Sequence, residues 1–178
     1  MKSQKNLEVL LSEAEIQRRV QEMADEISSD YAGEDDLILV GVLKGAFIFL
    51  ADLSRRLSIP RSIEFMAVSS YETGDEASSA VRLVMDLRKN IEGKNVLLVE
   101  DIVDTGRTLH FLGELLAARK PKSIKTCALV RKPDRVQMAA SVDYLGFDIP
   151  DAWVVGYGLD YDEENRTLPY IAAFDPDS

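Results

Sequence analysis

The sequence predicts an α/β fold, an open and mostly parallel twisted sheet flanked by helices, and three observations predict it. Continuous apolar runs at residues 37–42, 95–100 and 123–130 lack the in–out alternation of a half-exposed strand, as expected where helices cover both faces of a parallel sheet. Segments with helical spacing of apolar residues follow these runs, so strands and helices alternate along the chain. Gly or Pro punctuates the boundaries, at Gly33, Gly45, Pro60, Gly106 and Pro121. The 178 residues, 46% of them hydrophobic, suffice for one sizeable core, and residues 1–178 are read as a single domain without internal repeat or linker.

Ser12-Glu13-Ala14-Glu15 has the form of a capping box, and Leu11 and Ile16 are spaced for a hydrophobic staple, so a helix is predicted over 13–28. Ile16, Val20, Met23 and Ile27 give it one apolar stripe. Gly33 and the acidic Glu34-Asp35-Asp36 form a turn into the strand at 37–42, and a helix over 46–57 ends before Pro60. A strand at 63–69 leads into residues 70–80, a polar, glycine-containing stretch without apolar anchors that reads as a mobile, lid-like loop. A strand resumes at 81–85. The clearest strand, 95–100, is followed by a helix over 108–118, and further strands are predicted at 123–130, 142–147 and 153–157.

Composition narrows the function. A net charge of −10 disfavours polyanionic partners, so neither nucleic acid nor an anionic membrane is expected to bind. A small phosphorylated ligand remains compatible, because backbone amides, a few local cations and a bound metal can hold it. Cys127 is the lone cysteine and lies in the apolar run Thr126-Cys127-Ala128-Leu129-Val130, where it reads as a core thiol. His110 is the lone histidine, which leaves no basis for a histidine metal site or a Ser-His-Asp triad. The N-terminus lacks the pattern of a signal peptide. The longest apolar stretch, 37–50, is interrupted by Lys44-Gly45 and falls short of the about 20 residues a bilayer span needs, so a cytoplasmic location is expected.

The chemistry concentrates in Val96-Leu97-Leu98-Val99-Glu100-Asp101-Ile102-Val103-Asp104-Thr105-Gly106-Arg107-Thr108. An apolar strand ends in two adjacent carboxylates, and a turn with a third carboxylate, two hydroxyls, a glycine and a cation opens the next helix. Ligands of open α/β sheets bind beyond the carboxyl ends of the strands, where this turn lies. Gly106 permits close backbone approach or positive φ. The amides from Asp104 to Thr108 begin a helix and favour a phosphate, to which Thr105 and Thr108 can also donate. Glu100 and Asp101 repel phosphate, but they suit ribose hydroxyls or a water-bridged Mg²⁺. One strand–turn–helix can therefore grip a sugar and its phosphate together.

This stretch resembles the signature of the type I phosphoribosyltransferases, whose substrate is phosphoribosyl pyrophosphate (PRPP). It is neither a Walker A loop nor a dinucleotide fingerprint. The family's fold adds a small hood to the open sheet, here implied to form from the N- and C-terminal segments. Three further segments resemble the hypoxanthine-guanine branch, and the likeness runs from about Leu7 to Phe174. In Gly41-Val42-Leu43-Lys44-Gly45, the Leu-Lys-Gly turn implies a pyrophosphate site at Lys44 and Gly45. The Leu43-Lys44 peptide can be cis in that branch, and the residues alone do not decide it. Ser70 and Tyr71 match a Ser-Tyr pair on the branch's closing loop. In Val130-Arg131-Lys132-Pro133 and the run from Val142 to Tyr161, Lys132 matches the donor to the purine 6-oxygen. Trp153 stands where an aromatic, more often Phe, stacks on the base, and the Val154 backbone would meet the purine edge. Asp160, with Glu100 and Asp101, matches the carboxylates that hold Mg²⁺, and Arg166 matches a late arginine that reaches pyrophosphate.

The resemblance implies transfer of phosphoribose from PRPP to hypoxanthine or guanine. Asp104 would be the general base at the purine N7, while Glu100, Asp101, Asp104, Thr105, Gly106, Arg107 and Thr108 would bind ribose phosphate. A homodimer or homotetramer is implied in the same way. A cation at Lys132 selects an oxo group over the amino group of adenine, since an ammonium cannot accept a hydrogen bond. Xanthine stays open as a preferred base, and so does a phosphoribosyltransferase-like RNA-binding regulator, against which the acidic charge and the absence of a Lys/Arg cluster argue.

Overall fold

The computed structural model describes residues 6–72, 79–138 and 141–176, with the side chains of 70–72 and 79–80 outside that description. Strand β1 (Glu8–Leu11) leads directly into helix α1 (Glu13–Asp30). The capping box is formed: the Ser12 side chain accepts from the Glu15 amide, and the Ser12 amide donates to Glu15 Oε2 at 2.9 Å. Alternating elements follow: β2 (Leu37–Leu43), α2 (Phe47–Arg56), β3 (Arg61–Glu72), β4 (Ser79–Met85), β5 (Asn95–Val103), α3 (Arg107–Ala117) and β6 (Ser123–Arg131). A short 3-10 turn at Pro133–Arg135 then precedes β7 (Tyr144–Asp148), β8 (Trp153–Val155) and β9 (Ile171–Phe174).

Six strands form the main sheet in the order β4-β3-β2-β5-β6-β7. All its pairings are parallel except that of the edge strand β4 with β3. The central strands β2, β5 and β6 are mostly buried on both faces, which is why they read as unbroken apolar runs. Leu39 of β2 and Leu97 and Val99 of β5 pack with Ile16, Val20, Phe49 and Leu53 of α1 and α2. Ile38, Val40, Val96 and Leu98 face the other way, toward Leu109, Leu112 and Leu116 of α3. Cys127 is a fully buried member of the first cluster, and burial pushes its thiol pKa up.

The connection from β2 runs through α2 to β3, and that from β5 runs through α3 to β6, on opposite faces and in opposite directions along the sheet. The carboxyl ends of the adjacent strands β2 and β5 are therefore a topological switch point, where open sheets form their binding crevice. A second, antiparallel sheet, β1-β9-β8, joins the two ends of the chain.

The structure corrects several expected boundaries. Strand β5 continues through Glu100 to Val103 because its pairing with β6 continues, with Ile102 opposite Val130 and Val103 opposite Arg131. The two carboxylates thus lie within a strand and not at its end. Residues expected in the lid-like loop are partly strand: Ser70 pairs with Val81, Tyr71 with Ala80 and Glu72 with Ser79. Edge pairing is made by the backbone and needs no apolar side chain, so polarity misled there. Residues 73–78 of the expected loop lie outside the described residues. Strand β8 stops at Val155, because Gly156 and Tyr157 turn the chain at φ 102° and 50°.

Candidate active site

The segments that follow β2, β5, β6 and β8 build the site. After β2 the chain turns through Leu43-Lys44, whose peptide is cis, into Gly45 and helix α2. Gly45 fits because Asp101 on the neighbouring strand presses against it: a Cβ there would lie 1.6 Å from Asp101 Oδ2. After β5, Asp104 to Gly106 make a tight turn, and Gly106 caps α3 at φ 81°, a conformation open to glycine at no steric cost. Helix α3 starts at Arg107, one residue earlier than expected, and the His110 amide is bonded back to the Gly106 carbonyl at 3.0 Å. The amides of Gln137 and Met138 donate to the Thr105 carbonyl at 3.1 and 3.2 Å and hold the turn from the far side.

A cavity of about 520 Å³ opens at the switch point. Lys44, Gly45, Asp101, Lys132, Trp153, Val154, Asp160 and Arg166 all line it, so residues predicted from four separate segments converge. The segment 104–108 and Glu100 do not line this cavity. They adjoin it through Asp101 and Ile102, which do. Ser70 and Tyr71 lie on β3, whose residues Ala67 and Val68 form part of the wall.

The electrostatics of the floor are unusual. Glu100 and Asp101 are both buried, and Glu100 Oε2 has no hydrogen-bond partner. Burial, and then the neighbouring Asp101 charge, pushes the Glu100 carboxyl well above the usual carboxylate range. Burial raises Asp101 as well. A pair of carboxyls buried this way asks for a proton or a cation.

Lys132 is only 8% exposed and faces Asp151, Nζ to Oδ1 3.5 Å. Asp151 also meets Arg135 at 3.6 Å, and Arg135 Nε donates to Asp104 Oδ1 at 2.5 Å. A chain of alternating charge, Asp104–Arg135–Asp151–Lys132, therefore ties the proposed base to the buried lysine. Arg135 and Asp151 were missed at the sequence level. Their spacing from Lys132 carries no motif, and only the fold, which sets the 3-10 turn and the β7–β8 connection side by side, brings them in. Trp153 is 58% exposed and packs T-shaped with Tyr161, ring centroids 5.7 Å apart, which leaves much of the indole open to a ligand.

The loop after β8 is anchored from behind. Tyr157 is buried, and its hydroxyl donates to Asp52 on α2 at 2.5 Å. Burial works against the Asp52 charge, but donation from Tyr157, Gln17 and Arg55 holds its carboxyl below the usual range. Beyond Tyr157, Arg166 Nη1 contacts the Gly158 carbonyl and Asp160 Oδ1, each at 2.9 Å. Glu163 was also missed: it lines the cavity and pairs with Lys44.

A switch-point crevice holding a buried cation and a carboxylate floor, beside a phosphate-suited turn, is the arrangement that suits a transferase of activated sugar phosphates. The model of the phosphoribosyl transferase domain matches residues 7–162, and the chain belongs to that family. The hypoxanthine-guanine phosphoribosyltransferase of Mycobacterium tuberculosis is 47% identical over 173 residues, covering 94% of this chain and 86% of that protein. That of Aquifex aeolicus is 48% identical over 167 residues, covering 94% of both. Among solved structures, the hypoxanthine phosphoribosyltransferase of Staphylococcus aureus superposes with a TM-score of 0.90 at 45% identity, over 96% of this chain and 92% of that one.

Proposed function

We propose that this chain transfers the 5-phosphoribosyl group of PRPP to N9 of hypoxanthine or guanine, giving IMP or GMP and pyrophosphate, as an enzyme of purine salvage. The observation that carries the reading is the convergence of Lys132, Trp153 and Val154 with Lys44, Gly45 and Arg166 along one cavity floored by Asp101.

The ribose phosphate seats on the turn 104–108, held by the first-turn amides of α3 and the hydroxyls of Thr105 and Thr108. The base lies against Trp153, with its edge on the Val154 backbone and its 6-oxygen on Lys132. Burial makes that contact discriminating, because a base that cannot accept from Lys132 leaves a desolvated ammonium facing a donor. Asp104 takes the N7 proton as N9 attacks ribose C1, and general-base help of this kind contributes about 10²–10⁴-fold. Arg135 and Asp151 keep Asp104 and Lys132 in register. Lys44, Gly45 and Arg166 receive the pyrophosphate, and Ser70 and Tyr71 close over the reaction centre to exclude water. The small β1-β9-β8 sheet serves as the hood.

The donor set fits Mg²⁺. Asp101 and Asp160 line the cavity, and Glu100 keeps a buried oxygen without a partner. Among the described residues no group of three His, Cys, Asp or Glu side chains could hold a metal alone, which suits an ion completed by substrate oxygens. When bound, Mg²⁺ would neutralise the charge of the departing pyrophosphate. A homodimer or homotetramer belongs to the proposal, supported by the exposed apolar side chains Ile63, Phe65, Val84 and Met85 on the β3–β4 edge. So does a cytoplasmic location, since PRPP is too highly charged to cross a bilayer.

The test is incubation of the purified protein with PRPP, Mg²⁺ and each of hypoxanthine, guanine, xanthine and adenine, with nucleotides resolved by chromatography. IMP and GMP are expected, with adenine used at least about 100-fold less well. Adenine used as readily as hypoxanthine, or no nucleotide from any base, would refute the proposal.

A further inference from the structure

The reading above assigns Lys44 and Arg166 to pyrophosphate, yet both cations already hold an anion, and that anion belongs to the protein. Lys44 Nζ lies 2.9 Å from Glu163 Oε1. Arg166 Nη2 and Nε lie 3.2 and 3.4 Å from Glu163 Oε2. One carboxylate thus spans the two cations, an oxygen to each, on the wall of the cavity. Its backbone is held to that task. Asp162, Glu163 and Asn165 adopt left-handed φ of 54°, 62° and 68°, and the Glu163 amide donates to Asp160 Oδ2 at 2.8 Å. Non-glycine residues stay in that region where their surroundings over-determine them.

A purely structural role accounts poorly for the pair. The Lys44 and Glu163 side chains are 67% and 63% exposed, and ion pairs so exposed add little to stability. Their consequence lies at the site, where any anion seeking both cations must break two contacts to a like-charged group. We propose that Glu163 is an internal stand-in for pyrophosphate. It occupies Lys44 and Arg166 in the empty enzyme, is displaced when the pyrophosphate end of PRPP seats, and returns to help expel free pyrophosphate after transfer. The inference rests on the pyrophosphate assignment made under the proposed function. It adds a carboxylate that tunes affinity and release without touching the reacting atoms.

Calorimetric titration with magnesium pyrophosphate tests it on the wild type, on Glu163→Gln and on Glu164→Gln, which removes the same charge one residue away. At low salt, Glu163→Gln is expected to bind about three- to tenfold tighter than wild type, from the usual size of exposed ion pairs. The gain should shrink at about 1 M salt, where screening acts within a few ångströms. The KM for PRPP should fall in step while kcat does not rise, and Glu164→Gln should bind within about twofold of wild type. Unchanged or weaker binding by Glu163→Gln, or equal tightening by Glu164→Gln, overturns the stand-in role. If those results come from a wild type that makes IMP normally, only this inference is lost. A wild type that neither binds magnesium pyrophosphate nor forms nucleotide removes the proposed function and the inference together.

Discussion

Replacing Gly45 by alanine puts one methyl group into the floor of the site. The added Cβ would lie 1.6 Å from Asp101 Oδ2 and 2.4 Å from its Cγ, against an ordinary contact of about 3.5 Å. Something must therefore move by about 2 Å. Asp101 is only 7% exposed, so its carboxylate has little room to swing aside. The opposite side offers no relief, because the Gly45 carbonyl lies so close to Gly158 that a Cβ on that residue would come within 1.9 Å of it. Displacing a positioning group by about 1 Å typically costs about 10²-fold in rate, so kcat/KM for PRPP should fall by about that factor. Overpacking of about 1–3 kcal/mol should lower the melting temperature by about 3–10 °C without unfolding the protein. Steady-state kinetics with varied PRPP, together with a thermal melt, measure both. A folded Gly45→Ala variant with kcat/KM for PRPP within about threefold of wild type would refute the claim that the Gly45–Asp101 contact shapes the pyrophosphate end of the site.

Asp104→Asn should keep PRPP binding but lower turnover at least about tenfold, read by titration beside single-turnover kinetics; undiminished turnover removes Asp104 as the base. Lys132→Ala should weaken use of hypoxanthine and guanine about 10- to 100-fold with little change in the KM for PRPP, and normal base affinity would count against the 6-oxygen contact. Glu100→Gln should change how stability depends on pH. Burial, then the Asp101 charge, raises Glu100, so the folded state keeps a proton that the unfolded chain releases. That contribution is complete below the ordinary Glu value of 4.5 and is lost as pH rises through the raised folded value. Melting curves of the ligand-free variant across this range should therefore fall less steeply with pH than those of wild type, and identical slopes would contradict the assignment.

The parts of the fold legible in the sequence were those whose cause is local. The unbroken apolar runs of β2, β5 and β6 follow from coverage on both faces, and the start of α1 follows from the Ser12–Glu15 capping box. The turn after β5 was legible because its carboxylate, hydroxyls and glycine stand in a fixed order at a helix start, a pattern carried by neighbouring residues alone. What escaped depends on contacts distant in sequence. Strands β1 and β9 are four residues each, and they exist by pairing with each other across the whole chain. Arg135, Asp151 and Glu163 carry no motif and acquire a role only where folding sets them against Asp104, Lys132 and Lys44. Glu100 and Asp101 were identified as residues, but their burial within a continuing strand, which pushes both carboxyls above the ordinary range, was not.

The central claim is that the turn 104–108 anchors the ribose phosphate while the base reaches Lys132 and Trp153. A crystal structure of the protein with IMP measures this directly. Phosphate oxygens are expected within about 3 Å of the first-turn amides of α3, the purine 6-oxygen at a similar distance from Lys132 Nζ, and the base over the Trp153 indole. IMP bound elsewhere, with that turn empty of phosphate, would contradict it.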